Sequence, residues 1–439
     1  MSRLFGTDGV RGLANVELTA DLALALSRSA ARLLTKRAAG GARPTAVVGR
    51  DPRPSGELLD AAVCAGLASA GVDVRRLGVV PTAAVAHLVR DTGAALGVMI
   101  TASHNPMPDN GIKFFGPDGF KLTDEAEDAV EASLADSGGL PSGAAVGRML
   151  PDEDLVERYV AHLLTTIPAS ADGVHVVVDA ANGAATRVVP EVYRRAGARV
   201  TVINDRTDGE AINDGCGATH LDGLRAAVVE HRADLGLAHD GDADRCLAVD
   251  HRGEVVDGDA ILAILALSLR ERQALAGETV AATVMSNLGF HKAMKANGIG
   301  VAETAVGDRY VLERMRAEGL TLGGEQSGHV ILLEHATTGD GILTGLHLLS
   351  RVAEGSPLAE LAAVMTRLPQ VLLNVAVPDK LVAMQQVQPL VAEAESDLDG
   401  DGRVLVRPSG TEQLVRVMVE APTAERAREV AERIASVIR

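Results

Sequence analysis

A chain of 439 residues exceeds what one hydrophobic core supports, so several domains are expected. Aromatic residues make up 2%, Trp is absent, and 42 basic against 59 acidic residues leave a net charge of -17; this argues against nucleic-acid binding but leaves room for a small anion in a local basic pocket. No apolar run is long enough to span a bilayer, "MSRLFGTDGVRG" has no apolar targeting core, and Cys64, Cys216 and Cys246 lack C-x-x-C spacing, so a cytoplasmic protein without membrane, zinc site or disulfide frame is expected.

In chain order, "TAVVGRD" (45–51) predicts a short buried strand, followed by an Ala/Leu-rich helix and a second strand at "AGVDV" (70–74). The run from Ala94 to Ile100 predicts another buried strand, which breaks into "TASHNP" (101–106). There an Asn-Pro turn and an imidazole flank Ser103, expected in an exposed loop. "DSGGLPSGAAVG" (136–147) reads as a linker or exposed connection. The strand–helix–strand unit recurs from "VHVVVDA" (174–180) to "AGARV" (196–200), and from "VAATVMS" (280–286) to "NGIGV" (297–301). Gly71, Gly197 and Gly298 stand where each helix should end. "HRGEVVDGDA" (251–260) separates the second unit from the third, and after Pro369 the pattern becomes that of a small α+β domain with an antiparallel sheet. The expected fold class is therefore α/β: three similar mixed α/β domains (1–152, 153–253 and 254–369) and a smaller C-terminal α+β domain (370–439).

Three polar clusters carry chemistry. In "HDGDADRC" (239–246), Asp240, Asp242 and Asp244 alternate, so in extended geometry their carboxylates share one side. They would repel one another unless a hard cation such as Mg²⁺ joined them; a solvated acidic turn is the competing reading. An EF-hand is ruled out, because Arg245 and His251 stand where Gly and Glu are required. In "GGEQSGH" (323–329), Glu325, Ser327 and His329 could bond neighbouring sugar hydroxyls, or simply form a polar hairpin turn. In "VRPSGTEQLVR" (406–416), Arg407, Ser409, Gly410, Thr411 and Arg416 could converge on an anion, or the segment is an ordinary Pro-Ser-Gly turn. The phosphate loop G-x-x-x-x-G-K-[ST], the elbow G-x-S-x-G and the zinc motif H-E-x-x-H are all missing. A serine in a fixed turn, a cation site, a hydroxyl reader and an anion clamp together suit phosphoryl transfer to and from a sugar, with Ser103 as carrier.

Five ordered motifs, "FGTDGVRG", "TASHNP", "DGDADR", "GEQSGH" and "RPSGTE", make the whole chain resemble the α-D-phosphohexomutases. The resemblance implies four domains around a central cleft. It implies a phosphoserine at Ser103, whose phosphate would join Asp240, Asp242 and Asp244 in ligating one Mg²⁺ per chain. Arg11, His104, Lys113 and Arg245 would lie near the reacting phosphate, with Lys113 or His104 as the acid–base group. Glu325 and Ser327 would bind the sugar, and Arg407, Ser409, Gly410, Thr411 and Arg416 the non-reacting phosphate. Closure of the fourth domain is expected to keep a bisphosphate intermediate from water. The implied partner is a small sugar phosphate, with a second copy of the chain as a candidate. Gln326 stands where mutases of glucose and mannose phosphates more often carry Met, which favours glucosamine 6-phosphate and a place in UDP-N-acetylglucosamine and cell-wall precursor synthesis.

Overall fold

Val47, Val48, Val98 and Ile100 are fully shielded from solvent. They lie at the centre of a sheet built from β1 (Val10–Leu13), β2 (Thr45–Arg50), β3 (Asp73–Val79), β4 (Leu96–Ile100), β5 (Asp109–Phe115) and β6 (Met149–Pro151), in the order β1-β5-β4-β2-β3-β6. The computed structural model describes residues 3–6, 8–35, 43–136, 138–409 and 413–438. The chain forms two compact units, one holding residues up to Val284 together with Ala302–Ala362, the other Met285–Val301 and the residues from Ala363 onward.

The second sheet contains β7 (His175–Asp179), β8 (Arg199–Ile203), β9 (Leu235–Ala238), β10 (Leu247–Asp250) and β11 (Val255–Val256), ordered β11-β10-β9-β7-β8. The third contains β12 (Thr279–Thr283), β13 (Gly300–Thr304), β14 (Leu322–Gly324) and β15 (Val330–Leu332), ordered β13-β12-β14-β15. Gly71, Gly197 and Gly298 have φ of +88°, +105° and +68°, the left-handed geometry anticipated at the helix ends.

The three sheets repeat one plan. Parallel pairing at the centre (β2–β4, β7–β9, β12–β14) gives way to an antiparallel partner (β4–β5, β9–β10, β14–β15). The hairpin connection after β4 carries Ser103, that after β9 carries the three aspartates, and that after β14 carries Glu325 and Ser327. Equivalent positions in the repeats thus present different chemistry. The segment 138–147 is largely exposed, and at its end Gly147 N–H donates to the Ala68 carbonyl at 2.9 Å before β6 pairs in parallel with β3.

In the second unit, β16 (Gln370–Ala376), β17 (Arg403–Pro408) and β18 (Leu414–Glu420) form an antiparallel sheet ordered β16-β18-β17, as the alternating sequence implies. The helices Lys380–Leu398 and Ala424–Val437 pack Val387, Ala394, Val430 and Ile434 into its core. Residues 285–301 belong to this unit. The fully buried Glu420 accepts from Leu288 N–H at 2.8 Å and from Asn287 Nδ2 at 3.3 Å, and Arg403 donates to the Ser286 carbonyl at 2.8 Å. Among the described residues, no helix is long and apolar enough to cross a membrane.

Candidate active site

After β4 the backbone turns so that Ser103 sits at φ +50°. A residue with a Cβ stays in that region only when its surroundings hold it there. Here Ser103 N–H donates to Thr101 Oγ1 at 2.9 Å, and the Thr101 hydroxyl donates to Asp51 Oδ2 at 2.7 Å. The Ser103 hydroxyl donates to Asp240 Oδ2 at 2.6 Å. Ser103 is 1% exposed, which corrects the expectation of an exposed loop: the aspartate loop of the second sheet covers it. That approach requires Gly241, where a Cβ would lie 2.5 Å from the Ser103 carbonyl oxygen.

Asp240, Asp242 and Asp244 do converge, with ligand atoms all within 4.8 Å of one another. The extended geometry expected from their alternation is not how they do so. Beyond Ala238 the chain leaves the sheet and turns, with Ala243 in the left-handed region at φ +57°, and the turn gathers the carboxylates. Burial, reinforced by Asp244 and Asp242, pushes the Asp240 carboxyl up to about 8. Burial acts on Asp244 too, but His329 and Lys113 outweigh it and hold that carboxyl well below its usual range. The Oδ1 atoms of Asp242 and Asp244 are buried with no hydrogen-bond partner. Orphaned oxygens in an all-carboxylate set fit a hard divalent cation such as Mg²⁺.

Lys113 on β5 is 1% exposed, with Nζ 3.0 Å from Asp242 Oδ2 and 2.9 Å from Asp8 Oδ2. Burial alone would favour the neutral amine, yet Asp242, Asp8 and Asp244 together outweigh it and raise its pKa. His104 is only partly buried and its Nδ1 lies 3.4 Å from Ser103 Oγ. Burial, with Arg245 and Arg11 adding to it, pushes this imidazole down to about 4, so it is neutral at pH 7. Arg11 pairs with Asp8 and donates to Asn105 Oδ1 at 3.4 Å. Arg245 N–H donates to Asp240 Oδ1 at 3.2 Å, while its buried side-chain Nε makes no hydrogen bond and lies 3.9 Å from Asp244 Oδ1. A cavity of about 710 Å³ opens beside His104, Asn213 and His220; its lining includes neither Ser103 nor Asp240, Asp242 and Asp244.

In the hairpin after β14, Glu325 Oε1 accepts from Gly307 N–H at 3.1 Å, and the Ser327 hydroxyl is buried with no hydrogen-bond partner. His329 is placed differently from these two. It is 4% exposed, its Nδ1 is 3.6 Å from Asp244 Oδ2, and its Nε2 accepts from Gly339 N–H at 3.1 Å, so it braces a carboxylate instead of lining the loop's open side. Gln326 donates through Nε2 to Asp259 Oδ2 at 3.2 Å. That bond braces the loop to the helix Gly258–Glu271.

In the second unit, Arg407 and Arg416 are direct cross-strand partners of β17 and β18. Burial and then the Arg416 charge lower the Arg407 pKa, an arrangement that an anion between the two guanidinium groups would relieve. Ser409 is 4% exposed; Gly410 and Thr411 lie outside the described residues.

Several residues of the site escape sequence reasoning. Asp8 joins Arg11, Lys113 and Lys121, and Lys121 joins Asp308 of the third sheet's domain. Thr82 holds Asp242 through both its hydroxyl, at 2.7 Å, and its N–H, which donates to the Asp242 carbonyl at 3.0 Å. Buried His239 donates through Nδ1 to the Arg245 carbonyl at 3.0 Å, closing the aspartate loop on itself. Asp8 was within reach, because "FGTDGVRG" places it three residues before Arg11. The others come together only in three dimensions.

Models of the phosphoglucomutase/phosphomannomutase family match the chain along most of its length: alpha/beta/alpha domain I over residues 2–138, domain II over 157–253, domain III over 257–368, and the C-terminal domain over 372–437. The chain belongs to this family of phosphohexomutases, isomerases that work by phosphoryl transfer. Full-length relatives carry a narrower name. The phosphoglucosamine mutase of Streptomyces coelicolor is 61% identical over 448 residues, covering 100% of this chain and 99% of its own. That of Thermobifida fusca is 60% identical over 442 residues, covering 100% and 98%. A crystal structure of a phosphoglucomutase/phosphomannomutase family protein from Burkholderia thailandensis shares the fold at a TM-score of 0.83 with 24% identity, over 99% of this chain and 98% of that one.

Proposed function

We propose that the chain converts glucosamine 6-phosphate reversibly to glucosamine 1-phosphate through a phosphoserine at Ser103 and a bound bisphosphate. Full-length identity of 60–61% to phosphoglucosamine mutases supports the substrate. The observation that carries the mechanism is the 2.6 Å approach of the Ser103 hydroxyl to Asp240, within a cluster of three carboxylates.

In the first half-reaction the bond between phosphorus and Ser103 Oγ breaks as the free hydroxyl of the sugar monophosphate takes the phosphoryl group. The sugar hydroxyl must lose a proton as the Ser103 oxygen leaving phosphorus gains one; neutral His104, with Nδ1 3.4 Å from Ser103 Oγ, would relay it, whereas Lys113 is held as an ammonium ion that offsets phosphoryl charge. Held by Asp240, Asp242 and Asp244, Mg²⁺ would supply further positive charge at the transferring group. After the bisphosphate turns end for end, Ser103 Oγ takes the opposite phosphoryl group while its own proton passes through His104 to the vacated sugar oxygen. Glu325 and Ser327 would bind two neighbouring hydroxyls in either orientation. Arg407, Ser409 and Arg416, with Gly410 and Thr411, would hold the phosphate that is not reacting.

A coupled assay of phosphorylated enzyme on glucosamine, glucose and mannose phosphates tests the reading. The largest kcat/KM is expected for glucosamine 6-phosphate, and a larger value for glucose or mannose phosphate would overturn the substrate while leaving the family intact.

A further inference from the structure

Behind the serine loop lies Arg53, a guanidinium with no solvent exposure. Its Nε donates to Asp51 Oδ2 at 2.9 Å. Nη2 donates to the carbonyls of Ser103 at 3.0 Å and Asn105 at 2.8 Å, and Nη1 to those of Asp109 at 3.0 Å and Pro106. A guanidinium has five N–H donors in a rigid planar fork, and here each finds an acceptor. Four carbonyls from one loop therefore converge on a single buried cation. Asp51 balances its charge and, through the Thr101 hydroxyl, reaches the Ser103 amide from the other side.

Nothing in this set touches Ser103 Oγ. What the set does fix is the backbone around it, at the one residue of the loop whose φ is left-handed. We infer that Arg53 is a positioning residue for phosphoryl transfer: by gathering the carbonyls of Ser103, Asn105, Pro106 and Asp109, it holds the backbone that aims Oγ at Asp240. The inference rests on Ser103 being the phosphoryl carrier. Lysine cannot substitute, since an ammonium offers three donors on a flexible stem where the loop presents four carbonyls and a carboxylate in fixed directions. An uncharged side chain would leave Asp51 buried without its partner, which endangers folding itself.

Two variants separate positioning from folding. Arg53→Lys keeps the charge but not the fork; Thr101→Val keeps shape and charge but removes the hydroxyl between Asp51 and the Ser103 amide. Both are assayed on folded protein selected by gel filtration and checked by circular dichroism, with Ser103 phosphoryl content read by intact mass. A misplaced reacting group lowers kcat without weakening substrate binding, so kcat should fall about 100-fold in Arg53→Lys and about 10-fold in Thr101→Val, with KM for glucosamine 6-phosphate within about twofold of wild type. Wild-type kcat in either folded variant would overturn the inference, as would a loss no larger than the fraction of unfolded protein. If Arg53→Lys does not fold, Thr101→Val decides alone. Wild-type enzyme that turns over without ever carrying a phosphoryl group on Ser103 would instead remove the carrier reading, a separate outcome.

Discussion

The hydroxyl of Ser103 and the carboxylate of Asp240 meet at 2.6 Å although 137 residues separate them in the chain. One belongs to the hairpin after β4, the other to the hairpin after β9, so the contact joins equivalent points of two repeated sheets. It puts the only left-handed serine of the described residues against a carboxylate that burial and its neighbours drive toward its protonated form.

Replacing Ser103 by Ala should cut mutase turnover by at least about 1,000-fold, since it removes the hydroxyl proposed to carry the phosphoryl group. The added phosphoryl mass of active enzyme should vanish with it. One hydrogen bond to Asp240 is lost, so a stability change of about 1 kcal/mol is expected in urea denaturation. Substantial turnover by the variant would contradict the carrier role.

Divalent cation should bind and stabilise the aspartate loop in the absence of substrate. Mg²⁺ relieves repulsion among Asp240, Asp242 and Asp244, so Tm should rise with MgCl₂ and fall back with EDTA, and chelated enzyme should be inactive. Asp242→Asn should weaken both effects. An unchanged Tm across the titration, together with activity in excess EDTA, would leave the cluster without a cation.

Gln326→Met should raise KM for glucosamine and glucose phosphates alike, by a factor of about 3 to 10, because one loop-bracing hydrogen bond to Asp259 is lost. If instead the variant lost only its preference for the amino sugar, the amide would be reading substrate after all.

Arg416→Ala should raise the KM for sugar phosphate at least about tenfold, the scale of one charge-assisted contact, and increase release of bisphosphate during turnover. Quantifying free bisphosphate by mass spectrometry checks this. Wild-type KM and retention would return the segment from Arg407 to Arg416 to a purely structural role.

Acid should destabilise the first unit through His87. The His87 ring stacks on His162 with centroids 4.2 Å apart, near Tyr159, Asp91, Arg90 and Arg158, and burial, aided by His162, lowers its pKa from 6.5 to about 4. Because the folded pKa lies below the unfolded one, the unfolded chain binds the proton first, and stability is lost as pH falls from about 6.5 toward 4. Full linkage amounts to about 2 kcal/mol between pH 7 and 5, and partial exposure reduces that to about 1 kcal/mol. Urea midpoints at the two pH values should therefore converge in His87→Gln relative to wild type.

The sheets were legible in the sequence because apolar runs such as "VHVVVDA" and the glycines at 71, 197 and 298 report local geometry. The identity of the aspartate cluster was legible too, but its shape was not: alternation suggested a strand, and the left-handed Ala243 that makes it a turn leaves no mark on periodicity. Ser103 was recognisable as unusual, whereas its burial depends on Gly241 letting another loop close over it. Arg53 was invisible, since "GRDPRPSG" gives no sign that its guanidinium will meet carbonyls some fifty residues away.

Cutting the chain near residue 369 would break what looks in sequence like a detachable tail. A polypeptide of 370–439 would retain Glu420 with its partners Arg403 and Gln370, but lose Asn287 and the Leu288 N–H that Glu420 also binds. The excised stretch 285–301 carries a whole helix, Leu288–Ala296, whose Gly289 packs so closely that a Cβ there would sit 2.0 Å from the Thr366 carbonyl oxygen. The C-terminal module is thus stitched from two separated stretches of chain, and any graft, truncation or swap that is to fold must carry both.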